Sequence, residues 1–323
     1  MKAVHIYAHG GPEVLRVEDV PVPEPGPGEL LVRVAAAGIN YTDIGFREGV
    51  FTRPLPLRLG KEAAGTVAGL GEGVTGFAVG QRVVATLIDG AYGEYVVAPA
   101  DKWVPIPDGL DDARACAAMM QGMTGHYLTH DAFPIKAGDV VLFHAAASGV
   151  ASFALRMAKE RGATIIGVVS RSEKADTAYA SGADHVIVSS GEDFVAAAKR
   201  LTGGVGVHAV YDPVGQETFV RSLECLRTRG TLVLYGAASG PVKSFDTAHW
   251  LFYSKYVLAP SIEDYVATRD DLTRRVEASF AGVLSGAYPA QIGGTFPLTE
   301  VVAAHLALAD RTRTGKLILV PGG

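Results

Sequence analysis

The chain has 323 residues, of which 48% are hydrophobic and 20% charged, and its formal net charge is −5. This length favours two domains with sizeable apolar cores, and the negative balance lacks the basic surface that nucleic-acid binding requires. No segment has the apolar length of a membrane span. The first residues suggest a strand rather than a signal peptide. Two cysteines are too few for a disulfide framework. We therefore expect a cytoplasmic protein without nucleic-acid or membrane partners.

Short β-like segments separated by glycine and proline fill residues 1–120. The proline-rich connector over residues 20–29 excludes a helix, and a strand is predicted over residues 29–35. Seven glycines among residues 60–80 suit tight turns between short strands. This part of the chain predicts a mainly β domain, built as a partly closed barrel.

Strands and helices alternate over residues 121–264, which is typical of an α/β, doubly wound parallel sheet. The predicted strands cover residues 139–144, 164–169, 185–188, 207–211 and 230–235. The predicted helices cover residues 150–161, 173–181, 193–202 and 216–226. Two further helices, over 270–285 and 299–310, and a strand over 315–321 are expected to return to the first domain. The predicted domains are thus 1–120 with 265–323, and 121–264.

The first strand–helix–strand unit of this sheet has the features of a dinucleotide site. A turn of small residues leads to Ser148, Gly149 and Val150, where a helix begins. Only Gly149 remains of the G-x-G-x-x-G pattern, although small residues still let backbone N–H groups approach a pyrophosphate. A plain crossover with an alanine-rich turn is the alternative. The spacing from Gly149 to Ser170 and Arg171 fits the ribose-reading position, and a base there predicts NADPH.

A second motif indicates the family. Residues 60–67, with Gly71 and Val74, resemble the G-H-E-x-x-G-x-V-x-x-x-G-x-x-V signature of medium-chain alcohol dehydrogenases. Lys61 replaces the zinc-binding histidine, and no cysteine lies near Asn40 at the usual catalytic-zinc position. The four-cysteine lobe of a structural zinc site is also missing, so neither zinc site is built as the family builds it.

The zinc-free quinone oxidoreductase branch, which is ζ-crystallin-like, has the most similar pattern. Matching motifs occur in family order along the chain, at residues 10–15, 38–43, 142–147, 210–215 and 221–223. The resemblance implies a Rossmann domain with a GroES-like domain, NADPH as cofactor and no metal. It also implies a homodimer and a small-molecule quinone or enone substrate.

The resemblance also assigns the nicotinamide end of the cofactor site. It places Asn40 beside the nicotinamide and Asp43 as a support of the same loop. Thr124 corresponds to the threonine that helps to hold the nicotinamide ribose. These three residues are the expected catalytic set.

The adenosine end is implied in the same way. Ser170, Arg171 and Lys174 resemble the set that binds the 2′-phosphate, and Arg311 resembles a C-terminal arginine that reaches the same phosphate. Ser189 stands where bacterial members often have a tyrosine on the adenosine side. Any one of the bases, taken alone, is equally well explained as a solvated surface residue.

Two departures from the family bear on the substrate. Gly45 stands where quinone reductases often carry tyrosine, and Phe51 stands where enoyl thioester reductases carry a proton-donating tyrosine. Reduction of an enoyl group benefits from a positioned acid, whereas water can protonate the oxygens of a reduced quinone. The departures therefore favour a quinone. Tyr41 and Tyr92 remain candidate donors, with packing or loop anchoring as the simpler interpretation.

Three functions stay open at this point. The first is an NADPH-dependent, zinc-independent quinone reductase. The second is a 2-alkenal or enoyl thioester reductase on the same scaffold. The third is a non-catalytic, crystallin-like protein that binds NADPH in a structural role.

Overall fold

The computed structural model describes residues 1–310 and 314–322. The chain folds into two compact units, one formed by Met1–Gln121 with Thr268–Gly323 and the other by Gly122–Ala267. Within the described residues, no helix combines the length and the apolar character needed to cross a membrane.

The strands follow one another along the chain as β1 (Lys2–Ile6), β2 (Arg16–Asp19), β3 (Glu29–Ile39), β4 (Leu57–Arg58), β5 (Glu62–Leu70), β6 (Arg82–Thr86), β7 (Tyr95–Pro99), β8 (Val104–Pro105), β9 (Val140–His144), β10 (Thr164–Val169), β11 (His185–Val188), β12 (Val207–Asp212), β13 (Leu226–Leu234), β14 (Tyr256–Leu258), β15 (Ile292–Pro297) and β16 (Lys316–Val320). The α-helices are α1 (Tyr41–Glu48), α2 (Asp112–Tyr127), α3 (Gly149–Glu160), α4 (Ala175–Ala180), α5 (Phe194–Leu201), α6 (Phe219–Cys225), α7 (Thr247–Trp250), α8 (Ile262–Tyr265), α9 (Arg269–Leu284) and α10 (Val301–Ala309).

The second unit is built on a six-stranded parallel sheet of order β11-β10-β9-β12-β13-β14. Its central strands are apolar and almost wholly buried, as in a parallel sheet covered on both faces. The order reverses between β9 and β12, because β9 leads through α3 to one side and β12 leads through α6 to the other. The predicted doubly wound Rossmann class is confirmed, and a ligand is expected at the carboxyl ends of β9 and β12.

The first unit contains a mainly antiparallel sheet of order β15-β16-β3-β5-β6-β8, with β7 also paired to β3. Strand β1 pairs with β2 and β4 in a smaller sheet. The C-terminal strand β16 pairs with the end of β3, so that Leu317 lies opposite Ile39. This pairing brings Lys316 to the point where β3 leads into α1.

Some predicted elements differ from the observed ones. Strand β3 continues to Ile39, beyond the predicted 29–35, and a helix follows it immediately. The predicted helix over 173–181 is divided into a 3₁₀ turn, Ser172–Lys174, and the short α4. Strand β13 begins at Leu226 instead of Gly230 and continues directly from α6.

Candidate active site

In the second unit, the turn between β9 and α3 has the geometry of an anion site. Ser148 is the N-cap of α3, and its side chain accepts a hydrogen bond from Ala151 N at 3.3 Å. Ala145 adopts a φ of +50°, which lets the chain turn sharply after the strand. The N–H groups of Gly149 and Val150 belong to the first turn and have no intrahelical acceptor. These groups and the helix dipole favour a negative charge at this point.

The end of the neighbouring strand β10 is basic. Ser170 and Arg171 follow it directly and are exposed, and Arg171 has no ion-pair partner in the described part of the chain. Lys174 ends the next 3₁₀ turn and is half-buried, with exposed Glu173 before it. Ser189 follows β11, and its N–H and hydroxyl donate to the carbonyl of Val169 at 2.9 and 3.2 Å.

The structure therefore brings Ser170 and Ser189 to one edge of the sheet, beside the turn at Ser148. Thr124 belongs to the same unit and is buried in the last part of α2. The following residue, Gly125, touches α3: a Cβ there would lie 3.0 Å from Ala154 N. The fourth predicted base, Arg311, lies outside the described residues.

In the first unit, Asn40 is held by hydrogen bonds to both its backbone and its side chain. It is the N-cap of α1, and its backbone N–H donates to Asp43 Oδ2 at 2.8 Å. Its side-chain Oδ1 accepts from Lys316 Nζ at 2.6 Å, and its Nδ2 donates to Glu62 Oε2 at 3.2 Å. The amide orientation is therefore fixed by partners of opposite charge.

Those two partners form a fully buried ion pair. Lys316 Nζ contacts Glu62 Oε2, and both side chains are 0% exposed. The second oxygen, Glu62 Oε1, accepts from Met120 N at 2.7 Å. A Cβ at position 38 would overlap the carboxylate of Glu62 and the end of Lys316, so a larger residue there would displace the ion pair.

Asp43 adds a second buried carboxyl group to this cluster. Its Oδ2 accepts from Tyr92 OH at 2.8 Å, whereas its Oδ1 has no hydrogen-bond partner among the described residues. Burial raises the pKa of Asp43 from 3.8 to about 6, against the lowering effects of Asn40 N–H, Tyr92 OH and Lys316. The ammonium group of Lys316 thus forms an ion pair with Glu62 and acts on Asp43 through its charge.

The other end of α1 is anchored as firmly. Arg47 is buried; its Nε donates to the carbonyl of Gly10 and its Nη1 contacts His305 Nδ1, both at 3.1 Å. Burial, with the charge of Arg47, lowers the pKa of His305 to about 3. His305 is therefore neutral and accepts the hydrogen bond. Helix α1 is fixed at both ends, which holds Asn40 in place.

Comparison with known proteins places this arrangement in a family. A family model described as zinc-binding dehydrogenase matches residues 149–273, and one described as alcohol dehydrogenase GroES-like domain matches residues 26–108. A quinone oxidoreductase of Pseudomonas aeruginosa is 40% identical over 99% of this chain and 99% of its own length. A 2-haloacrylate reductase of a Burkholderia species is 38% identical over 99% of this chain and 98% of its own length. The crystal structure of Escherichia coli quinone oxidoreductase complexed with NADPH matches with a TM-score of 0.97 at 37% identity, covering 99% of this chain and 100% of that one.

The chain belongs to the quinone oxidoreductase branch of the medium-chain dehydrogenase/reductase superfamily. The family predicted from the scattered motifs is confirmed, together with the Rossmann and GroES-like domains that it implies.

The zinc ion named in one of the matching family models does not fit the residues of this branch member. Lys61, at the position of the zinc-binding histidine, forms an ion pair with Asp89, and its Nζ lies 4.6 Å from the centroid of the Phe46 ring. An ammonium group has no lone pair to offer a metal. Cys116 is buried, and burial raises the pKa of its thiol well above the ordinary value. Among residues 1–310 and 314–322, no group of three or more metal-binding side chains is arranged to hold an ion.

Gly45 and Phe51, the two departures from the family pattern, lie in contact with each other. The ring of Phe51 lies directly on Gly45: a Cβ at position 45 would be 2.5 and 2.6 Å from Phe51 Cε2 and Cδ2. Phe51 also packs on Phe46, with ring centroids 5.4 Å apart, and remains 44% exposed. A larger side chain at position 45 would therefore displace the ring of Phe51.

The two candidate tyrosine donors are engaged within the first unit. Tyr92 is buried and donates to Asp43, and Tyr41 OH donates to the carbonyl of Leu308 at 3.1 Å. These contacts agree with packing and loop anchoring, the simpler interpretation of both residues.

Sequence reasoning missed Glu62 and Lys316 as members of the cluster around Asn40. The available signal was a charged residue at the first position of two otherwise apolar strands, β5 and β16. A charge at such a position is either solvated at the strand end or buried with a partner. Only the pairing of β16 with β3, from opposite ends of the chain, identifies the partner.

Proposed function

We propose that this chain is a reductase that transfers hydride from NADPH to a quinone without a zinc ion. The observation that carries the proposal is the exposed Arg171 at the carboxyl end of β10, beside the turn that begins α3. A base at this position accommodates the 2′-phosphate of NADPH, whereas an acid would bind the 2′-hydroxyl of NADH. Relatives named quinone oxidoreductases and a relative solved with NADPH support the same conclusion.

The donor set at the sheet edge fits the adenosine end of NADPH. The exposed Ser170 and Arg171 offer a hydroxyl and a cation to a phosphate, and Lys174 adds positive charge nearby. The N–H groups of Gly149 and Val150, which have no acceptor within α3, suit the pyrophosphate. In this proposal Ser148 shapes the turn and Ser189 holds the end of β10.

Asn40, Asp43 and Thr124 serve the nicotinamide end in the proposal. When bound, NADPH supplies the hydride, so the protein has to position donor and acceptor. Asn40 suits this task because Lys316 and Glu62 prevent its amide from turning. Asp43 fixes the backbone of Asn40 and is a positioning residue.

The proposed acceptor is a quinone, because among the described residues around α1 the carboxyl group of Asp43 is fully buried and neither candidate tyrosine has a hydroxyl without an acceptor. Phe51 has no hydroxyl, and the hydroxyls of Tyr41 and Tyr92 already have acceptors. A quinone accepts electrons at oxygen atoms that water protonates. The exposed ring of Phe51 provides an apolar surface for a planar acceptor of this kind.

A second candidate substrate is an activated alkene. The observation that favours it is the 38% identity to a 2-haloacrylate reductase over nearly the full length of both chains. Such a reaction delivers hydride to one carbon and a proton to its neighbour, and a positioned acid would accelerate it by roughly 10²–10⁴-fold. We therefore rank it second.

The proposed assembly is a homodimer formed through the edge strand β14. This strand pairs on one side with β13, and Tyr256 and Val257 on it are exposed. Phe252, just before it, is 89% exposed, and Leu251 is exposed as well. Its other edge is unpaired among the residues that the structure describes, and an apolar edge of this kind invites pairing with a second copy of the same strand about a two-fold axis.

The deciding experiment follows NADPH oxidation with a panel of quinones, 2-alkenals, 2-haloacrylates and enoyl thioesters. We expect turnover with quinones, no loss of activity after chelation, and tighter binding of NADPH than of NADH. Efficient reduction of alkenes with no reaction of any quinone would reverse the order of the two substrates. Binding of NADPH without turnover of any acceptor would favour the crystallin-like role.

A further inference from the structure

A buried chain of three side chains joins β9 and β12 at the point where the strand order of the Rossmann sheet reverses. His144 ends β9, Asp212 ends β12, and Ser222 projects from α6 between them. His144 Nε2 lies 3.0 Å from Ser222 Oγ, and Ser222 Oγ lies 2.9 Å from Asp212 Oδ2. His144 is 2% exposed and the other two are fully buried.

The protons available to these three side chains determine which ring nitrogen of His144 is protonated. Asp212 already accepts hydrogen bonds from two backbone N–H groups, and a carboxylate only accepts. Ser222 has one proton, which it donates to Asp212, so it can only accept from His144. His144 must therefore carry its proton on Nε2. Burial lowers the pKa of His144, which disfavours a second proton on its ring.

Asp212 in turn holds the loop that follows β12. Its Oδ1 accepts from Val214 N at 2.8 Å and from Gly215 N at 3.1 Å. Thr218 donates its hydroxyl to the same carboxylate at 2.7 and 2.9 Å. The conformation of residues 213–218 thus depends on the orientation of the Asp212 carboxylate, which Ser222 and His144 restrain from the side of β9.

We propose that His144 is a positioning residue for the dinucleotide: through Ser222 and Asp212 it fixes the loop after β12 against the turn that begins α3. His144 and Asp212 lie at the carboxyl ends of β9 and β12, where the strand order reverses. Ligands of doubly wound sheets bind across the carboxyl ends of these two strands. Both loops must keep one mutual geometry for a dinucleotide to contact them together. The inference rests on the proposed function only in taking NADPH as the ligand.

The test measures NADPH affinity by fluorescence titration without any acceptor. His144→Leu removes one hydrogen bond of the chain and Ser222→Ala removes both, and we expect Kd to rise roughly three- to tenfold in each variant. His144→Gln keeps an N–H donor on a side chain of similar reach, and we expect its Kd to return toward the wild-type value. Turnover at saturating NADPH should change by less than about twofold, because the residues act on binding.

Ser279→Ala is the matched control, because Ser279 is equally buried but donates within α9 of the other unit, to Arg275 O at 2.9 Å. Its NADPH affinity should be unchanged. Circular dichroism verifies that each variant is folded. An unchanged Kd in folded His144→Leu and Ser222→Ala would overturn the proposal, and so would a His144→Gln variant as weak as His144→Leu.

A measurement on the wild-type protein is independent of whether the variants fold. The ¹⁵N shifts of the His144 ring should show a neutral imidazole protonated on Nε2 at neutral pH. A ring protonated on Nδ1 would contradict the hydrogen-bond chain. A wild type that binds NADPH but reduces no quinone would overturn the proposed acceptor and leave this inference intact, so the two failures are distinguishable.

Discussion

Replacement of Asp43 by asparagine should change how stability depends on pH. The raised pKa means that folded Asp43 binds its proton more tightly than the unfolded chain does. Its contribution to stability is therefore complete below pH 3.8 and is lost as the pH rises through about 6. A rise of roughly two pKa units corresponds to about 3 kcal/mol. The substituted amide stays uncharged at every pH, so the stability of wild type relative to Asp43→Asn should fall by about 3 kcal/mol between roughly pH 4 and pH 7.

Urea unfolding at several pH values measures this difference, because contributions from other titrating groups cancel between the two proteins. Tyr92→Phe is a second and more specific variant, since it deletes the hydroxyl that donates to the Asp43 carboxylate. It should move the loss of stability to higher pH. A difference between wild type and Asp43→Asn that stays constant within about 0.5 kcal/mol from roughly pH 4 to pH 8 would refute the reasoning.

Other substitutions test the remaining parts of the site. Arg171→Asp should remove a charge-assisted phosphate contact and reverse the preference for NADPH over NADH, with at least about a tenfold loss of NADPH affinity by fluorescence titration; equal affinities in wild type would contradict the assignment. Lys316→Met leaves the buried charge of Glu62 uncompensated and should lower the free energy of unfolding by about 3–5 kcal/mol, and a loss below about 1 kcal/mol would show that the pair is not desolvated. Phe51→Tyr should raise turnover of enoyl substrates and leave quinone turnover unchanged. Val257→Lys on the exposed edge strand should shift the proposed homodimer to monomer in light scattering, and a wild type that is already monomeric would exclude that assembly.

The Rossmann sheet was predictable because its signals are local. Each central strand is a short run of β-prone apolar residues between helices, and alternation at that spacing permits few topologies. Boundaries were less predictable where packing decides them. Strand β13 begins at Leu226 because it continues directly from α6, which no local pattern shows.

The cluster around Asn40 could be predicted only in part. Asn40 and Asp43 lie within one turn of each other, and a family motif marks them. Glu62 and Lys316 join them through pairing of β3 with strands from distant parts of the chain. The residue type of Lys316 also favours a wrong prediction, namely an exposed side chain, since lysine is almost never fully buried unless it is paired. The raised pKa of Asp43 follows from burial and so needs the folded structure.

The balance of charge in that cluster is informative about why it exists. A buried ion pair is seldom more stabilising than well-packed apolar residues of similar volume, and an additional buried carboxyl group lowers stability further at neutral pH. Lys316, Glu62 and Asp43 are therefore poor choices for stability alone. What they achieve is geometric: the ammonium and the two carboxyl groups fix the side chain and the backbone of Asn40 from opposite sides. A reaction in which the cofactor supplies the hydride depends above all on such positioning, and stability is commonly given up at functional sites for that reason. The same logic applies to the buried His144 chain in the other unit, so the two buried polar clusters lie where the proposed mechanism needs a fixed geometry.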